Sequence, residues 1–476
     1  MFLPVAQFGN INDLELAERW DSTKLVREIE RRAAVLSQMG IGRGSVVAIA
    51  HGGSVRFFAD LLATWRLGAA VACLDTALTD AEFMTVVQFS GPAVLLVDGA
   101  KVPDHSSVPV LRLNDAFSDG PVAALEPNAD DPALVLFTSG TTGSPKGVVL
   151  SFGALAARLA LNAKAIGSVA LARTLVTLPT HFGHGLIGNA LTPLVAGGDI
   201  VLHPTGISLA KELGRLIDEH RITFTSSVPA LWRMALKLSR PPSGQSLTRV
   251  HVGSAPLSAD LWSDIVNWSR ADVVNCYGIT EMANWIAGAS SRADGIVDGS
   301  VGKPWGGVAA VINDNGDIQP SGEGEIVVRS PALMSGYLGR PDLSAAVLRN
   351  GWYHTGDRGV IDANGQIRLT GRIKDEINRA GFKVQPAEID ALLETHPAVA
   401  EACVFGISDS VSGEIVAAAV SCAPDEKVDI ECLRNWCATR LRRAAIPERW
   451  FVVDKLPRNE RGKINRDAVR RALVRD

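Results

Sequence analysis

The sequence predicts an α/β protein in which a large N-terminal domain of doubly wound mixed sheets carries a β subdomain and is joined by a hinge to a smaller α+β C-terminal domain. The chain has 476 residues, 47% of them hydrophobic, so it can form several domains with sizeable cores. Strand-like and helix-like runs alternate through the first 300 residues, as in a mostly parallel sheet covered by helices. After about residue 305, short strand-like runs surround Asn-Gly turns instead.

The first helix is predicted over 24–39, because its apolar residues recur at helical spacing and Gly40 can end it. A strand over 45–50 follows, from the run "SVVAIA". The same alternation continues downstream with strands predicted at 93–97, 133–137 and 174–179 and helices near 54–67, 153–165 and 208–220.

The β subdomain is expected at about 305–371, where "AAVINDNGDI", "GEIVVRS" and "GVIDANGQIRLTG" predict antiparallel hairpins. Beyond it, the pattern predicts helices at 386–395 and 429–443 and strands at 399–405 and 415–422. We therefore expect an N-terminal domain at 1–371 and a C-terminal domain at 375–476. The junction at 371–375 is short, which favours a hinge over a flexible tether.

Charge and cysteine usage exclude several classes of protein. Lys plus Arg (47) nearly balance Asp plus Glu (51), and the net charge of −4 gives no basic excess for a nucleic-acid partner. The six cysteines form no CxxC pair and no zinc-like spacing, so they predict reduced, mostly buried thiols. No run of about 18 apolar residues and no secretory leader is apparent. We expect a cytoplasmic protein without a membrane span.

The stretch "LVLFTSGTTGSPKGVVLS" (134–151) places threonines, serines, glycines and one lysine between two apolar runs. Backbone N–H groups, hydroxyls and an ammonium group in such a loop can bind phosphates. The spacing differs from the P-loop G-x-x-x-x-G-K-[ST], because Pro145 takes the place of the second glycine and Gly147 follows Lys146. From these residues alone, a solvated turn and a phosphate cradle are equally supported.

The segment "TSGTTGSPKG" resembles the phosphate loop of the adenylate-forming superfamily, which includes acyl-CoA synthetases, peptide-synthetase adenylation domains and luciferases. Companion motifs follow in the family's order from about residue 25 to the C-terminus. The resemblance is greatest to acyl- or aryl-CoA ligases. It implies that the ATP phosphates are bound by Thr138, Ser139, Gly140, Thr141, Thr142, Gly143 and Lys146.

The segment "NCYGITEMA" (275–283) resembles the family's adenine and magnesium motif. By this resemblance Tyr277 lies against the adenine, Thr280 contacts the α-phosphate and Glu281 holds Mg²⁺, a hard ion suited to a carboxylate. "HVGSAPLS" (251–258) resembles the segment bordering the adenine and the acyl group, although the family more often has glycine at Ser254. The further nucleotide-binding residues implied are Gly253, Ser254, Ala255, Asn275 and Gly278.

Three later motifs resemble those that bind ribose and bring the C-terminal domain into the reaction. Asp357 in "TGD" is expected to accept hydrogen bonds from both ribose hydroxyls, and Arg372 to contact ribose or phosphate. Lys374 occupies the family's hinge position. Lys463 in "LPRNERGKINR" resembles the catalytic lysine, which offsets the repulsion between an attacking carboxylate and the α-phosphate.

The resemblance implies a two-step reaction. A carboxylic acid and Mg·ATP give an acyl-adenylate and pyrophosphate, and a pantetheine thiol then displaces AMP. CoA is the expected thiol. A stand-alone ligase that loads an acyl carrier protein is the alternative, and a luciferase-like enzyme or a non-catalytic nucleotide sensor is less favoured. The hinge is expected to withdraw Lys463 and present the segment 380–382 to the thiol for the second step.

The segment "LPTHFGHGLIG" (178–188) occupies the place where the family's acyl pocket begins. It lacks the Asp that adenylation domains use to hold an α-ammonium group, so α-amino acids are disfavoured. An aromatic, hydroxylated or short-to-medium acyl group is expected, and each histidine has an equally good interpretation as a packing or hydrogen-bonding residue. The predicted pocket residues are His181, Phe182, His184, Asn284 and Trp285.

Overall fold

The computed structural model describes two compact units, which are treated separately below. The described residues are 3, 5–99, 108–114, 127–138, 146–313, 315–379, 382–409, 412–424, 426–458 and 463–474. Unit 1 comprises Met1–Val297, Val301–Val308 and Val328–Tyr353, and unit 2 comprises Asp298–Ser300, Ala309–Val327 and His354–Asp476. The domain boundaries expected from the sequence pattern, 1–371 and 375–476, remain a prediction.

The N-terminal part of unit 1 alternates strands and helices, as the hydrophobic pattern predicts. Helix α1 begins where the Asp21 carboxylate accepts the Lys24 N–H at 2.7 Å, and Gly40, with φ +77°, follows its end. The elements are β1 Ile11–Asp13, β2 Glu18–Trp20, α1 Ser22–Gln38, β3 Val46–Ile49, α2 Val55–Arg66, β4 Ala70–Cys73, α3 Asp80–Ser90, β5 Val94–Leu96, β6 Val110–Leu111, β7 Pro132–Thr138, β8 Lys146–Ser151 and α4 Phe152–Ile166.

The alternation continues to about residue 304. Two short helical segments interrupt it, a π-helix at His184–Leu191 and a 3₁₀ turn at Thr280–Met282, and both fall on predicted functional motifs. The elements are α5 Ser168–Leu171, β9 Arg173–Val176, α6 Thr192–Val195, β10 Asp199–Leu202, α7 Ile207–Glu219, β11 Phe224–Ser227, α8 Pro229–Leu238, β12 Arg249–Gly253, α9 Ala259–Ser269, β13 Asp272–Ile279, β14 Asn284–Ser290 and β15 Ser300–Pro304.

The remaining elements are mostly strands up to residue 372 and mixed thereafter. They are β16 Val308–Ile312, β17 Ile318–Gln319, β18 Gly322–Arg329, β19 Gly336–Tyr337, α10 Pro341–Val347, β20 Leu348–Arg349, β21 Trp352–Ile361, β22 Ile367–Arg372, β23 Ile377–Arg379, β24 Phe382–Val384, α11 Pro386–Glu394, β25 Val399–Asp409, β26 Gly413–Cys422, α12 Ile430–Ala438, β27 Arg449–Val453 and α13 Arg466–Leu473.

Unit 1 contains two mixed sheets that confirm the α/β prediction. One has the order β19-β8-β7-β4-β3-β5-β6, and the other includes β15-β14-β13-β12-β11-β9-β10-β1-β2. The central strands pair in parallel, for example β9 with β10 and β11, whereas β7–β8 and β13–β14 are antiparallel. Apolar residues of α7, α8 and α9 pack on the second sheet, among them Leu213, Trp232 and Trp262, each fully buried. These helices cover the sheet whose strands β12, β13 and β14 carry residues of the candidate site.

Unit 2 contains the predicted hairpins and a smaller sheet. Strands β16 and β17 are antiparallel, and the Asn313 side chain accepts the N–H groups of Asn315 and Asp317 in the turn between them. Strands β21 and β22 form a second antiparallel pair. The smaller sheet has the order β24-β23-β26-β25, with β27 pairing in parallel to β26.

The helix predicted over 429–443 is shorter than expected. It spans Ile430–Ala438, with Asp429 as its N-cap, and a separate 3₁₀ turn follows at Arg443–Ala445. The Thr439 hydroxyl donates to the carbonyl of Trp436, and the Arg440 guanidinium lies 3.6 Å from the centre of the Trp436 ring. Beyond Ala438 the Arg440 N–H donates to the Cys437 carbonyl three residues back, at 3.0 Å, so the chain continues as a tighter turn rather than as α-helix.

All six cysteines are free thiols. Four of them are buried, whereas Cys422 and Cys432 are exposed. In the described part of the chain, no helix has both the length and the apolar character needed to cross a bilayer.

Candidate active site

The predicted phosphate loop connects the antiparallel strands β7 and β8 rather than a strand and a helix. Thr138 at the end of β7 is the cross-strand partner of Lys146 at the start of β8. Ser139, Gly140, Thr141, Thr142 and Gly143 lie outside the described residues, as does the side chain of Thr138. Because α4 begins only after β8 and is capped by the Ser151 hydroxyl, its N-terminus is not part of this loop.

Lys146 is held next to a tyrosine from a distant part of the sequence. Its ammonium nitrogen lies 5.8 Å from the centre of the Tyr337 ring, a cation–π contact. Tyr337 is in β19, which pairs with β8 through Tyr337 and Val148. The Leu338 N–H also donates to the Gly147 carbonyl at 2.7 Å. The lysine and the tyrosine are thus fixed by one short pair of strands.

The motif with Thr280 and Glu281 forms a 3₁₀ turn that links β13 to β14. The Tyr337 hydroxyl donates to Oε1 of Glu281 at 2.7 Å, and the Met334 N–H donates to the Glu281 carbonyl at 2.8 Å. On the other side, Nε of Arg158 donates to the Met282 carbonyl at 3.0 Å. The turn therefore has a fixed backbone and a fixed carboxylate.

Sequence reasoning missed Arg158 and two of the tyrosines around this turn. The chain has three tyrosines: Tyr277 precedes the turn, Tyr337 donates to Glu281, and Tyr353 is buried near the Glu281 carboxylate. Burial, together with the nearby Glu281 carboxylate, raises the pKa values of Tyr337 and Tyr353 above their usual range. Both phenols thus stay protonated, and Tyr337 is the donor to Glu281. The sequence feature that could have drawn attention to Tyr337 and Tyr353 is that the chain contains just three tyrosines.

Arg158 is buried on α4, with 1% of its surface exposed. No ion pair to it is present in the described residues, and burial lowers its pKa to about 10. Its Nη1 has no partner there either. A cavity of about 10 Å³ adjoins it, lined by Met282, Trp305 and neighbouring residues, which is room for one water molecule. Arg158 is therefore a buried cation directly behind the Thr280–Met282 turn.

The predicted acyl-pocket motif forms the π-helix His184–Leu191, an uncommon element that often marks functional sites. Both ring nitrogens of His184 have protein partners, since Nδ1 lies 2.8 Å from the Ser254 hydroxyl and Nε2 lies 2.7 Å from the Ser226 hydroxyl. His181 pairs instead with Asp75, at 3.3 Å. The ring of Phe182 lies 5.4 Å from that of His181. His184 thus orients its neighbours through hydrogen bonds.

Asn284 and Trp285 pack against the π-helix at a glycine. A Cβ atom at Gly188 would lie 2.1 Å from Nδ2 of Asn284 and 2.9 Å from the Trp285 ring, so only glycine fits. Trp285 also contacts the rings of His184 at 5.5 Å and of the fully buried His251 at 4.6 Å. The structure thus brings three of the five predicted pocket residues, His184, Asn284 and Trp285, onto neighbouring elements, whereas His181 and Phe182 contact each other.

Three residues without the conformational freedom of glycine have positive φ angles in this region: Ser254 (+66°), Ala283 (+53°) and Asn284 (+125°). Such angles are uncommon outside glycine and concentrate at functional sites. Ser254 adopts the conformation that the family's more usual glycine would allow, and His184 bonds its hydroxyl. At Gly253, an added Cβ would lie 3.0 Å from the Cys276 carbonyl, in agreement with close packing of the two strands.

The other nucleotide-binding residues predicted in unit 1 lie on the same strand ends. Asn275 and Tyr277 are buried in β13, and Ala255 follows β12 in a half-buried position. Gly278 abuts β14 so closely that a Cβ atom would lie 2.4 Å from the Asn284 carbonyl.

Within unit 2, Asp357 and Arg372 face each other across β21 and β22. Nε of Arg372 lies 2.6 Å from Oδ1 of Asp357, which is 6% exposed. The Asp357 N–H donates to the Thr355 hydroxyl at 3.0 Å, and that hydroxyl donates to the Ile326 carbonyl at 2.6 Å. The carboxylate is thus held by its own backbone and by an arginine.

Lys374 and Lys463 are both exposed residues of unit 2. Lys374 lies in the 3₁₀ turn Ile373–Asp375 that follows β22. Lys463 precedes Ile464, which forms an isolated bridge with Arg458, and the Asn465 side chain then caps α13. In the segment expected to meet the thiol, 380 and 381 are outside the described residues, whereas Phe382 is exposed.

Glu281 suits a magnesium ion that is shared with a nucleotide. Within the described residues no group of three His, Cys, Asp or Glu side chains could hold a metal by itself. Mg²⁺ is commonly bound by one or two carboxylates together with phosphate oxygens and water, so a single oriented carboxylate fits this role. The residues present are compatible with a metal that arrives with ATP.

The known proteins that this chain resembles match it over nearly its whole length. Residues 15–338 match the family model "AMP-binding enzyme", and residues 388–463 match "AMP-binding enzyme C-terminal domain". The oxalate–CoA ligase of Arabidopsis thaliana is 33% identical, over 93% of this chain and 91% of that protein. A fatty acid–[acyl-carrier-protein] ligase of Streptomyces coeruleorubidus is 32% identical, over 94% of this chain and 90% of that protein.

A solved structure with the same fold contains ATP and a magnesium ion. It is the o-succinylbenzoate coenzyme A synthetase of Bacillus subtilis, with a TM-score of 0.87 and 27% identity, covering 97% of this chain and 96% of the other. The fold expected from the sequence is confirmed by this match.

Proposed function

The chain belongs to the AMP-binding enzyme family, and from this premise we propose that it is an acid–thiol ligase that activates a carboxylic acid with ATP and transfers the acyl group to CoA. The observation that carries this proposal is the Thr280–Met282 turn, in which Glu281 is oriented by Tyr337. A carboxylate fixed beside a lysine that follows the phosphate loop is suited to Mg·ATP.

In the first step, an oxygen of the substrate carboxylate attacks the α-phosphorus and the bond to pyrophosphate breaks. The magnesium ion, when bound with ATP, neutralises phosphate charge. We assign Thr280 to the α-phosphate and Lys146, with the 138–143 segment, to the β- and γ-phosphates. Lys463 stabilises the charge that develops as the two anions approach.

We assign the nucleoside half of ATP to the residues that the sequence motifs predict for it. Tyr277 lies against the adenine, with Gly253, Ser254, Ala255, Asn275 and Gly278 around it. Asp357 accepts hydrogen bonds from the ribose hydroxyls, and its ion pair with Arg372 keeps the carboxylate ionised and oriented for that purpose.

In the second step, the thiol sulfur attacks the acyl carbonyl carbon, AMP leaves and the thiol proton is lost to solvent. The chain uses no covalent enzyme intermediate. Lys374 is the proposed pivot that withdraws Lys463 before this step.

The acid that we propose lacks an α-ammonium group. The predicted acyl-pocket wall around His184 consists of the hydroxyls of Ser226 and Ser254, the Asn284 amide and the Trp285 ring. The 178–188 segment offers no carboxylate to hold a cation. The related ligases named above act on oxalate, a fatty acid or o-succinylbenzoate, none of which is an α-amino acid. An aromatic or short-to-medium acyl group fits this wall.

The decisive experiment is carboxylate-dependent exchange of labelled pyrophosphate into ATP over a panel of acids, followed by AMP release with CoA or with a holo acyl carrier protein. We expect exchange with at least one acid and AMP release that depends on CoA. AMP release only with the carrier protein would replace CoA by that acceptor, as in the Streptomyces relative. Nucleotide binding without exchange for any acid would contradict the enzyme assignment and favour a sensor.

A further inference from the structure

We propose that Tyr337 is a positioning residue that orients the magnesium-binding carboxylate and the phosphate-binding lysine together. This inference rests on the proposed function, because it concerns how Glu281 and Lys146 meet Mg·ATP. It names a residue that the sequence motifs did not single out.

The hydroxyl of Tyr337 acts on Glu281. It donates a 2.7 Å hydrogen bond to Oε1, which fixes the rotation of the carboxylate. A carboxylate has about four lone-pair sites, so it can accept phenolic hydrogen bonds and still offer oxygen lone pairs to a metal. Hydrogen bonds of this kind to metal-binding side chains commonly change metal affinity by about 10- to 100-fold.

The ring of Tyr337 acts on Lys146. The ammonium nitrogen lies 5.8 Å from the ring centre, within the range of a cation–π interaction. Lysine has a long, mobile side chain, and an aromatic face restricts where its charge can be. The ring thus limits the positions from which Lys146 can reach a phosphate.

Tyr337 is itself fixed by its surroundings. Its side chain is about nine-tenths buried, and its N–H donates to the Ser344 hydroxyl at 2.8 Å. Its strand is paired with the strand that begins at Lys146. One rigid side chain therefore sets the relative positions of a carboxylate and a cation that are 135 residues apart in sequence, from 146 to 281.

The two parts of Tyr337 can be separated by two substitutions. Tyr337→Phe removes the hydroxyl and keeps the ring, whereas Tyr337→Leu removes both. We expect Tyr337→Phe to raise the Mg²⁺ or Mn²⁺ concentration for half-saturation at least about 10-fold. It should leave the binding of metal-free ATP within about 2-fold of wild type. Tyr337→Leu should also weaken metal-free ATP binding, because Lys146 is then less restricted.

The measurements do not depend on turnover. Binding of Mn²⁺ in the presence of ATP is followed by electron paramagnetic resonance, and binding of ATP with EDTA by calorimetry. Metal dependence of pyrophosphate exchange is recorded in parallel. Trp20→Leu is the matched control, because Trp20 is also a buried aromatic beside a lysine, with Lys24 4.7 Å from its ring, and lies outside the assigned motifs. It should leave the metal dependence unchanged.

A merely structural role for Tyr337 predicts a different result. Loss of melting temperature with an unchanged Mn²⁺ titration in Tyr337→Phe, or equal weakening of ATP with and without metal, would overturn the proposal. Wild-type binding of Mn·ATP with no exchange for any acid would overturn the proposed reaction and leave the positioning result standing. Wild type that binds no Mn·ATP would overturn both.

Discussion

The site residues of unit 1 and those of unit 2 are built in different ways. In unit 1, His184 and Trp285 are buried and held by neutral hydrogen bonds, ring contacts and close approaches at glycine, and the partly buried Glu281 is held by the Tyr337 hydroxyl. In unit 2, Lys463 is exposed and the side chain of Arg372 is half-exposed in its ion pair with Asp357. Buried, fully packed groups fix direction, whereas exposed charges act over distance and can move. The difference is one of exposure: the pocket side chains of unit 1 are enclosed by their neighbours, whereas Lys463 of unit 2 presents its charge to solvent.

The strongest test of this comparison is the removal of the exposed charge of Lys463. We expect Lys463→Ala to slow acyl-adenylate formation by about 10²–10³-fold, because a cation that stabilises developing charge is lost. Thioester formation from a supplied acyl-adenylate should be retained, since that step does not need the lysine. The two half-reactions are measured separately by pyrophosphate exchange and by thioester formation. Lys455→Ala, an exposed lysine of the same unit, should change neither, and equal loss in both half-reactions would contradict the assignment.

A smaller loss of ATP binding is expected when the buried carboxylate of Asp357, one of the predicted site residues of unit 2, is removed. Asp357→Asn removes the charge that pairs with Arg372 and accepts the ribose hydroxyls. Charged hydrogen bonds of this type contribute about 1.5–3 kcal/mol, so the KM for ATP should rise roughly 10- to 100-fold. The matching test uses 2′,3′-dideoxy-ATP. If Asp357 binds the ribose, this analogue should bind wild type and variant almost equally; a persistent difference would point to a purely structural carboxylate.

Substitutions at two glycines of the 178–188 segment test how tightly the acyl-pocket wall around His184 is packed. Gly188→Ala places a methyl group 2.1 Å from Nδ2 of Asn284, so we expect a loss of about 1–3 kcal/mol in the free energy of unfolding and weaker acid binding. Gly183→Ala is the matched control, because its Cβ would have only ordinary contacts, the nearest at 3.5 Å to Leu136. Denaturant unfolding of both variants decides the point. Equal stability of the two would mean that the wall is not closely packed.

The smallest effect is expected at Asp218, a carboxylate far in sequence from the assigned motifs. Although desolvation disfavours its charge, hydrogen bonds from the Ser243 and Gly244 backbones and from Ser243 and Arg240 side chains lower its pKa to about 2. A lowered carboxylate pKa contributes stability above the ordinary value of 3.8, and this contribution is lost as pH falls toward 2.

Asp218→Asn should therefore cost no more than about 1 kcal/mol at pH 7, with the difference from wild type shrinking as the pH falls from about 4 to 2. Urea unfolding at several pH values measures it. Pyrophosphate exchange at pH 7 should be unaffected. A constant difference at all pH values would mean that the charge of Asp218 does not matter.

The local structure followed from the sequence because its signals are local. Apolar spacing, the Asp21 cap and Gly40 determine α1, and the Asn313 turn determines a hairpin, since each depends on residues a few positions apart. Where local signals were incomplete the prediction was wrong. The helix expected over 429–443 ends at Ala438, because the Arg440 N–H donates to the carbonyl three residues back, at Cys437, and the α-helical hydrogen-bond pattern stops there.

By itself, the sequence determined the α/β class, the strand and helix order, and the motifs that resemble those of adenylate-forming enzymes. Only the tertiary structure decided which side chains support those motifs. Tyr337 reaches Glu281 across 56 positions, His184 reaches Ser254 across 70, and Arg158 reaches Met282 across 124. The physical reason is that hydrophobic periodicity specifies a residue's face on its own element, whereas its partners depend on how strands from distant segments pair and pack.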